Sequence, residues 1–289
     1  MSADDQAGPV VAALNRHGYA LPYAVVKAVR TMGGPARTWR SDGTEFPVDV
    51  NGQNMHVDLL LRSPRGLLVC ECKRVDPVFG AWCFARSALA TNFDNEGQTI
   101  INETITHDDP NRAYVRRPRS QIYSERQNNV GLEVKTQEKG EPQGTTRGGL
   151  EIAITQALKG VSGITNAIAK QKMLMDGAPS LTLIPVIFTT AKLVTCETDL
   201  SMADLANGRL PENAQIADTP WLWFRRASTP ALRHEVVLKF PDDRSEFHGF
   251  NDVLNAMLVR SIGIVSLASE GGLAQFLDAA TAHVGDSFG

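Results

Sequence analysis

The chain has 289 residues, of which 43% are hydrophobic and 21% are charged. These values describe an ordinary soluble globular protein, long enough for one large domain or two modest ones. The formal net charge of −3, from 29 basic and 32 acidic residues, excludes a surface that is basic throughout but is compatible with a local basic groove.

The cysteines and the N-terminus restrict the class of protein further. Cysteine occurs at four positions without CxxC spacing, so neither a zinc ribbon nor a disulfide scaffold is indicated. The first five residues, Met-Ser-Ala-Asp-Asp, are acidic and are not followed by an apolar segment, which predicts that there is no signal peptide. No stretch approaches the roughly 18 uninterrupted apolar residues of a membrane span. We therefore expect a cytoplasmic protein.

The first part of the chain is predicted to form a helix and three strands. Residues 9–32 are predicted as a helix that ends at the cluster Gly33-Gly34-Pro35. The apolar period then changes from about 3.6 to about 2. Strands are predicted at 45–50, 56–62 and 67–74, with turns at 51–52 and 63–66.

The rest of the chain is predicted to contain a polar insertion followed by mixed α/β structure. Residues 87–148 are rich in breakers and short β-like pieces, and we interpret them as an insertion, part ordered and part mobile. The elements expected after it are a helix at 150–175, a long apolar β segment at 181–194, strands at 221–226 and 234–240, a helix at 246–260, a strand at 262–267 and a helix at 272–283. This order indicates a core at 1–200 and an α/β extension at 201–289 that packs on the core.

The second and third strands carry the chemically informative residues. If they pair as an antiparallel hairpin closed by residues 63–66, Asp58 lies opposite Glu71. One face then holds Asp58, Leu60, Val69, Glu71 and Lys73, and the other holds Val57, Leu59, Leu61, Leu68, Cys70 and Cys72. Every acid and amine of the central stretch therefore falls on one side, and the other side is a core face.

Two facing carboxylates indicate a cation site. Like charges opposite each other destabilise a strand pair by ~0.2–1 kcal/mol when solvated, and by more when water is excluded. A divalent cation reverses that sign, and two carboxylates with waters and a phosphate oxygen suit Mg²⁺. The metal would lower the pKa of its water and act as a Lewis acid on a phosphodiester. Lys73, on the same face, could orient or deprotonate that water, or neutralise charge that develops at phosphorus.

Asp58, followed by Glu71-Cys72-Lys73 on the next strand, resembles the PD-(D/E)xK, or restriction-endonuclease-like, nuclease superfamily. The core of that superfamily is an α-helix, three meandering strands, a helix and a further strand, and residues 20–195 have this predicted order. The resemblance implies an α/β fold with a restriction-endonuclease-like core (αβββαβ), in which helices flank a central mixed sheet. It also implies that Asp58 and Glu71 bind Mg²⁺, with Mn²⁺ able to substitute, and that Lys73 is the catalytic lysine.

The sequence departs from the superfamily pattern at two positions. Val57 precedes the aspartate where many members have proline, and residues 23–32 contain no acid where many members have a catalytic one. Glu45, at the start of the first strand, is the nearest substitute for this third acid.

The predicted 150–175 helix and the insertion contain further candidate residues, each with two open interpretations. Gln156 and Lys159 lie on that helix, where several nuclease families use a glutamine, and they belong either to the active site or to a solvent-facing polar stripe. Arg116, Arg117 and Arg119 either follow a phosphate backbone or form a solvated charge run in the insertion.

Histidine, tryptophan and cysteine residues have a structural interpretation beside the functional one. His56 lies opposite Lys73 in the proposed register and is either a structural residue at the edge of the site or a phosphate contact. The segment 221–224, Trp-Leu-Trp-Phe, either offers a stacking surface for bases or buries its rings, which is more usual in such a strand. Cys70 and Cys72 are predicted to behave as small apolar side chains.

The expected function is that of a Mg²⁺-dependent endonuclease that cuts DNA, and the superfamily resemblance suggests a prokaryotic restriction or anti-phage defence system. Two alternatives are a non-catalytic nucleic-acid-binding subunit of a larger complex and a nuclease that acts on RNA. The presence of Asp58, Glu71 and Lys73 argues against the first alternative, because a pure binding protein has no need of facing acids. A homodimer or a partner from a defence complex is compatible with the endonuclease interpretation.

Overall fold

A computed structural model describes residues 8–9, 11–12, 14, 18–50, 52–75, 80–85, 98–101, 103–109, 112–116, 119–122, 127–128, 130–134, 144–145, 148–171, 180–198, 204, 206–227 and 259–286. The described helices, named here in chain order, are α1 (Leu21–Thr31), α2 (Gly149–Gln171) and α3 (Gly272–Asp286). A short 3-10 turn at Pro35–Thr38 follows α1. Within the described residues, no helix is long and apolar enough to cross a membrane.

The described strands are numbered in chain order. They are β1 (Arg40–Val50), β2 (Gln53–Arg62), β3 (Gly66–Lys73), β4 (Ala81–Ala85), β5 (Gln98–Ile101), β6 (Glu103–Asp109), β7 (Arg112–Arg116), β8 (Arg119–Ile122), β9 (Gln127–Asn128), β10 (Val130–Val134), β11 (Gly144–Thr145), β12 (Ser180–Thr189), β13 (Lys192–Cys196), β14 (Ile216–Thr219), β15 (Trp221–Ala227) and β16 (Val259–Ser266).

The main sheet has the strand order β1-β2-β3-β12-β16-β15-β9 among the described residues. The first three strands form an antiparallel meander, β3, β12 and β16 are parallel neighbours, and β15 is antiparallel to β16. Near-continuous apolar runs such as Leu67–Cys70 and Leu183–Phe188 explain the central position of β3 and β12, because parallel strands are buried on both faces. The protein is therefore mixed α/β.

Helices cover both faces of this sheet. On one face, Val161 and Ile164 of α2 pack in the same cluster as Leu60 and Val69. On the other face, residues of α1 and α3 share a cluster with the sheet, and its members include Val25, Val29, Phe276, Leu277, Leu59, Leu68, Val186 and Trp223. The site residues of β2 and β3 thus lie in the middle layer of a three-layer structure.

A second sheet, β11-β10-β4-β13-β14, continues from the centre of the first. Within it β4 and β13 are parallel, as β3 and β12 are in the main sheet. The chain passes from β12 to β13 through Thr190 and Ala191 only, and the Lys192 N–H donates to the Gly80 carbonyl at 2.7 Å. The segments that follow β3 and β12 therefore leave the main sheet together, just after Lys73 and Thr189, and pair again in the second sheet as β4 and β13.

Most of the elements predicted from the sequence are confirmed. The helix before the meander, the three strands, the helix after the insertion and the final helix are all present, and β-structure occurs at 112–116 and 130–134 inside the predicted insertion. The strand predicted at 234–240 lies outside the described residues.

Three predictions about element boundaries are wrong. The β segment predicted at 181–194 is two strands in two sheets, because Thr190 and Ala191 form the bend between them. The first helix is interrupted at Gly18, whose φ of 67° is left-handed. The helix predicted at 246–260 is wrong at its end, since Val259 and Arg260 belong to β16.

Candidate active site

The carboxyl ends of three parallel strands meet at one edge of the main sheet. These ends are Lys73 of β3, Thr189 of β12 and Ser266 of β16. The Thr190 N–H donates to the Lys73 carbonyl at 3.2 Å, and the Leu267 N–H donates to the Thr189 carbonyl at 2.8 Å. Ligands of open α/β sheets bind outside such ends, so this edge is where a functional site is expected.

The β2–β3 hairpin opens where its acidic residues begin. Ladder pairs run only from Leu59:Cys70 to Arg62:Leu67, so the predicted pairs Asp58:Glu71 and His56:Lys73 are not formed. Instead, the Cys72 N–H donates to the Asp58 Oδ2 at 2.7 Å. The carboxylate of Asp58 therefore takes the place of a backbone acceptor and is held beside β3.

The predicted face of Val57 is also wrong. Val57 packs in the same cluster as Leu60 and Val69, under α2, rather than with Leu59 and Leu61. Residues three apart in a regular strand point to opposite faces. Strand β2 is therefore irregular between Val57 and Leu60, which is where the ladder to β3 stops.

Glu71 is a buried acid, 7% exposed, on the α2 side of the sheet. Its parallel partner in β12 is Ile187, which belongs to the cluster beneath α2. Burial, and then the negative charge of Asp58, raise the pKa of Glu71 to about 8, while Lys73 opposes this shift. Near neutral pH the metal-free site therefore keeps a proton on Glu71.

Asp58 is half-buried, and burial raises its pKa. The hydrogen bond from the Cys72 N–H acts in the opposite direction because it stabilises the carboxylate. Glu45 adds to the increase, and Lys73 lowers the pKa again. Asp58 and Glu71 thus lie within electrostatic reach of each other and of one lysine, as the sequence predicted.

Glu45 is the third acid of this cluster. It lies in β1 between the pairs Thr44:Leu59 and Phe46:Val57, which puts it across from Asp58. Its charge raises the pKa of both Asp58 and Glu71. Within the described residues it is the one non-glycine residue with positive φ, at 52°, a conformation that side chains disfavour and that occurs often at functional sites.

Glu133 of β10 is a site residue that the sequence analysis missed. It is 5% exposed, and its carboxylate accepts hydrogen bonds from the Trp82 Nε1 at 3.3 Å and from the Gly149 N–H at 2.7 Å. A Cβ at Gly149 would lie 3.3 Å from the Glu133 Oε1 and 3.4 Å from the Lys73 Cε. Glu133, the first residue of α2 and the side chain of Lys73 therefore meet at one point. The one signal in the sequence is an acid within the otherwise apolar run 130–134.

Gln156 lies at the level of Glu71. Helix α2 runs antiparallel to β3, since its first residue lies beside Lys73 and a Cβ at Gly160 would lie 3.1 Å from the Val69 Cγ1. Gln156 falls between these two contacts, and within the described residues its buried Oε1 has no hydrogen-bond partner. The placement of Gln156 agrees with a role in the site. Lys159 lies about one turn further along the helix and is half-buried.

The remaining candidates are placed as follows. Arg116 ends β7 and Arg119 begins β8, and Arg117 lies outside the described residues. His56 is exposed and pairs with Pro47 of β1. The rings of the 221–224 segment are buried, so this segment is not a stacking surface for bases. Cys70 is buried in the core and Cys72 packs against it, as predicted.

The donor set of the cluster suits a hard cation. Within the described residues, no group of three or more His, Cys, Asp or Glu side chains is arranged to hold a metal ion. Mg²⁺ needs fewer protein ligands, because it keeps several waters and uses one or two carboxylates together with phosphate oxygens of the substrate. Asp58 and Glu71 meet this requirement, and Glu45 lies close enough to influence both.

Comparisons with known proteins add no assignment. The chain matches no protein-family model, no curated protein and no solved structure. The chemistry of the cluster therefore provides the basis for a functional proposal.

The raised pKa of Glu71 predicts a pH-dependent stability. Between the ordinary value of 4.5 and about 8, the unfolded chain has released this proton while the folded chain still holds it, so stability falls as pH rises. Glu71→Gln should remove this dependence and stabilise the metal-free protein by a few kcal/mol at about pH 8. Melting temperatures measured in EDTA from about pH 5 to about pH 8 test this. Glu212→Gln, at an exposed acid, is the control, and a Glu71→Gln variant with the wild-type slope would contradict the prediction.

The positive φ of Glu45 predicts an order of stability among its variants. Glu45→Gln removes the charge that opposes Asp58 and Glu71, and should stabilise the metal-free protein. Glu45→Gly also removes the left-handed strain and should add about 1 kcal/mol more. Asp49 lies in the same strand without positive φ, so Asp49→Gly should be less stable than Asp49→Asn. Urea unfolding at neutral pH measures all four variants, and a Glu45→Gly variant less stable than Glu45→Gln would refute the assignment of strain.

Proposed function

We propose that this chain is a metal-dependent endonuclease of the restriction-endonuclease-like class that hydrolyses phosphodiester bonds in DNA. The observation that carries the proposal is the meeting of Asp58, Glu71 and Lys73 where parallel strands end. Two acids that keep a proton between them, next to a lysine, have no evident structural purpose in a buried sheet.

The order of elements around the cluster supports this class. The elements α1, β1, β2, β3, α2 and β12 follow one another as in the superfamily core, with a long insertion before α2. In addition, β12 lies parallel to β3, and α2 covers the β3 face that holds Glu71. This order supports the proposal in a way that the motif alone cannot, because short acid-and-lysine motifs occur by chance in many chains.

Asp58 and Glu71 would hold Mg²⁺ or Mn²⁺. The ion, once bound, would supply Lewis-acid activation of the scissile phosphate and of the attacking water. Asp58 presents a carboxylate already fixed by the Cys72 N–H, so little ordering is lost when it binds. Glu71 would give up its proton to solvent on binding the cation, because the positive charge would offset the repulsion from Asp58.

Lys73 and Gln156 would act on the substrate. The ammonium of Lys73 lies at the strand end and can orient the attacking water or neutralise charge on the phosphate. Glu133 and the first residue of α2 limit the positions available to this side chain. The unpartnered Gln156 Oε1 can accept a hydrogen bond from a water in the site. Lys159 and the arginines 116, 117 and 119 are proposed to contact phosphates.

A plasmid assay tests the proposal directly. The wild-type protein should nick or linearise supercoiled plasmid with millimolar Mg²⁺, and EDTA should abolish this. Lys73→Ala should abolish cleavage while DNA affinity stays within a few-fold, because most affinity comes from phosphate contacts elsewhere. Lys192→Ala, at an exposed lysine paired with Asp218 in the second sheet, should cleave normally. DNA binding without cleavage would favour a non-catalytic subunit, and cleavage of RNA alone would replace DNA as the substrate.

Melting curves test the two acids without any substrate. Asp58→Asn keeps an oxygen for the Cys72 N–H and removes the charge facing Glu71, so it should stabilise the metal-free protein by about 1 kcal/mol. The same change should abolish the stabilisation that Mg²⁺ gives the wild type, because only the folded state binds the cation. Asp278→Asn, at an exposed acid on α3, is the control. An Asp58→Asn variant that still gains stability from Mg²⁺ would exclude Asp58 as a ligand.

A further inference from the structure

Helix α1 presents a polar and aromatic stripe on its solvent side. Its buried residues Pro22, Val25 and Val29 face the sheet. The stripe is formed by Tyr23, Lys27 and Arg30, which are exposed, lie three or four positions apart and therefore share one side of the helix. Tyr19, in the turn before the helix, adds to it because its ring lies close to that of Tyr23. The stripe contains no acid, and neither does the rest of α1.

The two tyrosines form an exposed aromatic pair. Tyr19 is 55% and Tyr23 is 49% exposed. Their ring centroids lie 6.0 Å apart with an interplanar angle of 41°. Large exposed rings that fill no core are candidates for contact with another aromatic group, and base stacking on such rings contributes substantially to nucleic-acid binding.

The tyrosine end of the stripe lies beside the candidate active site. Gly18 precedes the pair, and a Cβ there would come 2.9 Å from the Cβ of Arg74, the residue after Lys73. Only glycine therefore fits between this turn and the end of β3. The hydrogen bond with Tyr23 is the main cause of the raised pKa of Tyr19, and the charge of Glu45 adds a smaller increase, as it does for Asp58 and Glu71. The contact between Gly18 and Arg74 thus places the tyrosine pair next to the end of β3 that carries the acidic cluster.

The basic end of the stripe leads away from the acids. Neither Lys27 nor Arg30 forms an ion pair with another residue in the described part of the chain. The distance along the helix from Tyr23 to Arg30 is ~10 Å at 1.5 Å per residue, and Tyr19 of the preceding turn extends the stripe, which leaves room for a few nucleotides of an extended strand. An aromatic platform followed by cations is the arrangement that binds single strands with little sequence preference.

We propose that the α1 stripe binds a single-stranded DNA segment and leads it to the acidic cluster, with bases stacked on Tyr19 and Tyr23 and phosphates at Lys27 and Arg30. The link to cleavage rests on the proposed nuclease function, whereas the binding does not. A duplex keeps its bases paired and stacked on each other, so it cannot use the rings. The preferred substrate is then DNA with unpaired nucleotides next to the cut.

Binding of labelled oligonucleotides tests the aromatic part. The probes are a fluorescein-labelled single strand of about 20 nucleotides and the blunt duplex of the same sequence, both in EDTA so that no cleavage occurs. The double variant Tyr19→Ala/Tyr23→Ala should lower affinity for the single strand at least about five-fold and for the duplex less than about two-fold. Tyr19→Phe/Tyr23→Phe keeps the rings and should bind like the wild type. Ile216→Ala, at a 59% exposed side chain in the second sheet, is the control.

The salt dependence of binding tests the basic part. Lys27→Gln/Arg30→Gln should reduce the slope of log affinity against log salt for the single strand by about 0.7 per lost contact. Arg209→Gln, at an exposed arginine outside the stripe, should leave the slope unchanged. An unchanged slope in the double variant would remove these two residues from the binding surface.

The outcomes separate this inference from the proposed function. Wild-type affinity of the alanine variant for the single strand, as expected if the stripe binds a protein instead, overturns the inference. Equal losses for single strand and duplex also overturn it, because they would mean general phosphate binding. If plasmid stays uncut but single-strand binding depends on the tyrosines, the nuclease proposal is wrong and the proposal that the α1 stripe binds single strands is supported. If plasmid is cut and the alanine variant binds single strands normally, the stripe alone fails.

Discussion

The parallel pairing of β3 with β12 is the constraint on which the rest of the structure depends. It runs without a break from Gly66:Thr182 to Lys73:Thr189. Parallel neighbours require a crossover, and here α2 crosses over the buried face and covers it. The last residue pairs of this ladder determine the positions of Glu71 and Lys73. A shift by one residue would exchange Glu71 with Cys72 between the two faces and dismantle the cluster.

The break that follows this pairing explains how a distant segment reaches the site. After Lys73 and Thr189 the two segments of the chain leave the main sheet and pair again as β4 and β13. Strand β10 adds to β4, with Glu133 opposite Trp82. The same pairing delivers the carboxylate of Glu133 to the first N–H of α2, where a negative charge is favoured by the helix dipole. The insertion is therefore part of the construction of the site and is more than a loop on the surface.

Alternation along the strands was enough to predict the hairpin, its apolar face except at Val57, and the approach of Asp58 to Glu71, because burial imposes a period of two. The same rule could not detect the irregularity between Val57 and Leu60, since a departure from the period leaves no pattern of its own. The left-handed backbone conformation of Glu45 could not be predicted from the sequence for the same reason. Glu133 depends on a pairing between strands far apart in sequence, which local periodicity does not contain.

The electrostatics of the cluster connect its protonation to its chemistry. Burial raises the pKa of both acids, but Asp58 has the Cys72 N–H as a fixed donor that stabilises its carboxylate, whereas Glu71 has no such donor among the described residues. The proton therefore stays on Glu71, whose pKa of about 8 lies above that of an ordinary glutamate. A cation that binds both carboxylates must displace this proton. Rigid placement of Asp58 and deferred ionisation of Glu71 then leave the empty site with one negative charge fewer, and this lowers the cost of burying two acids next to each other.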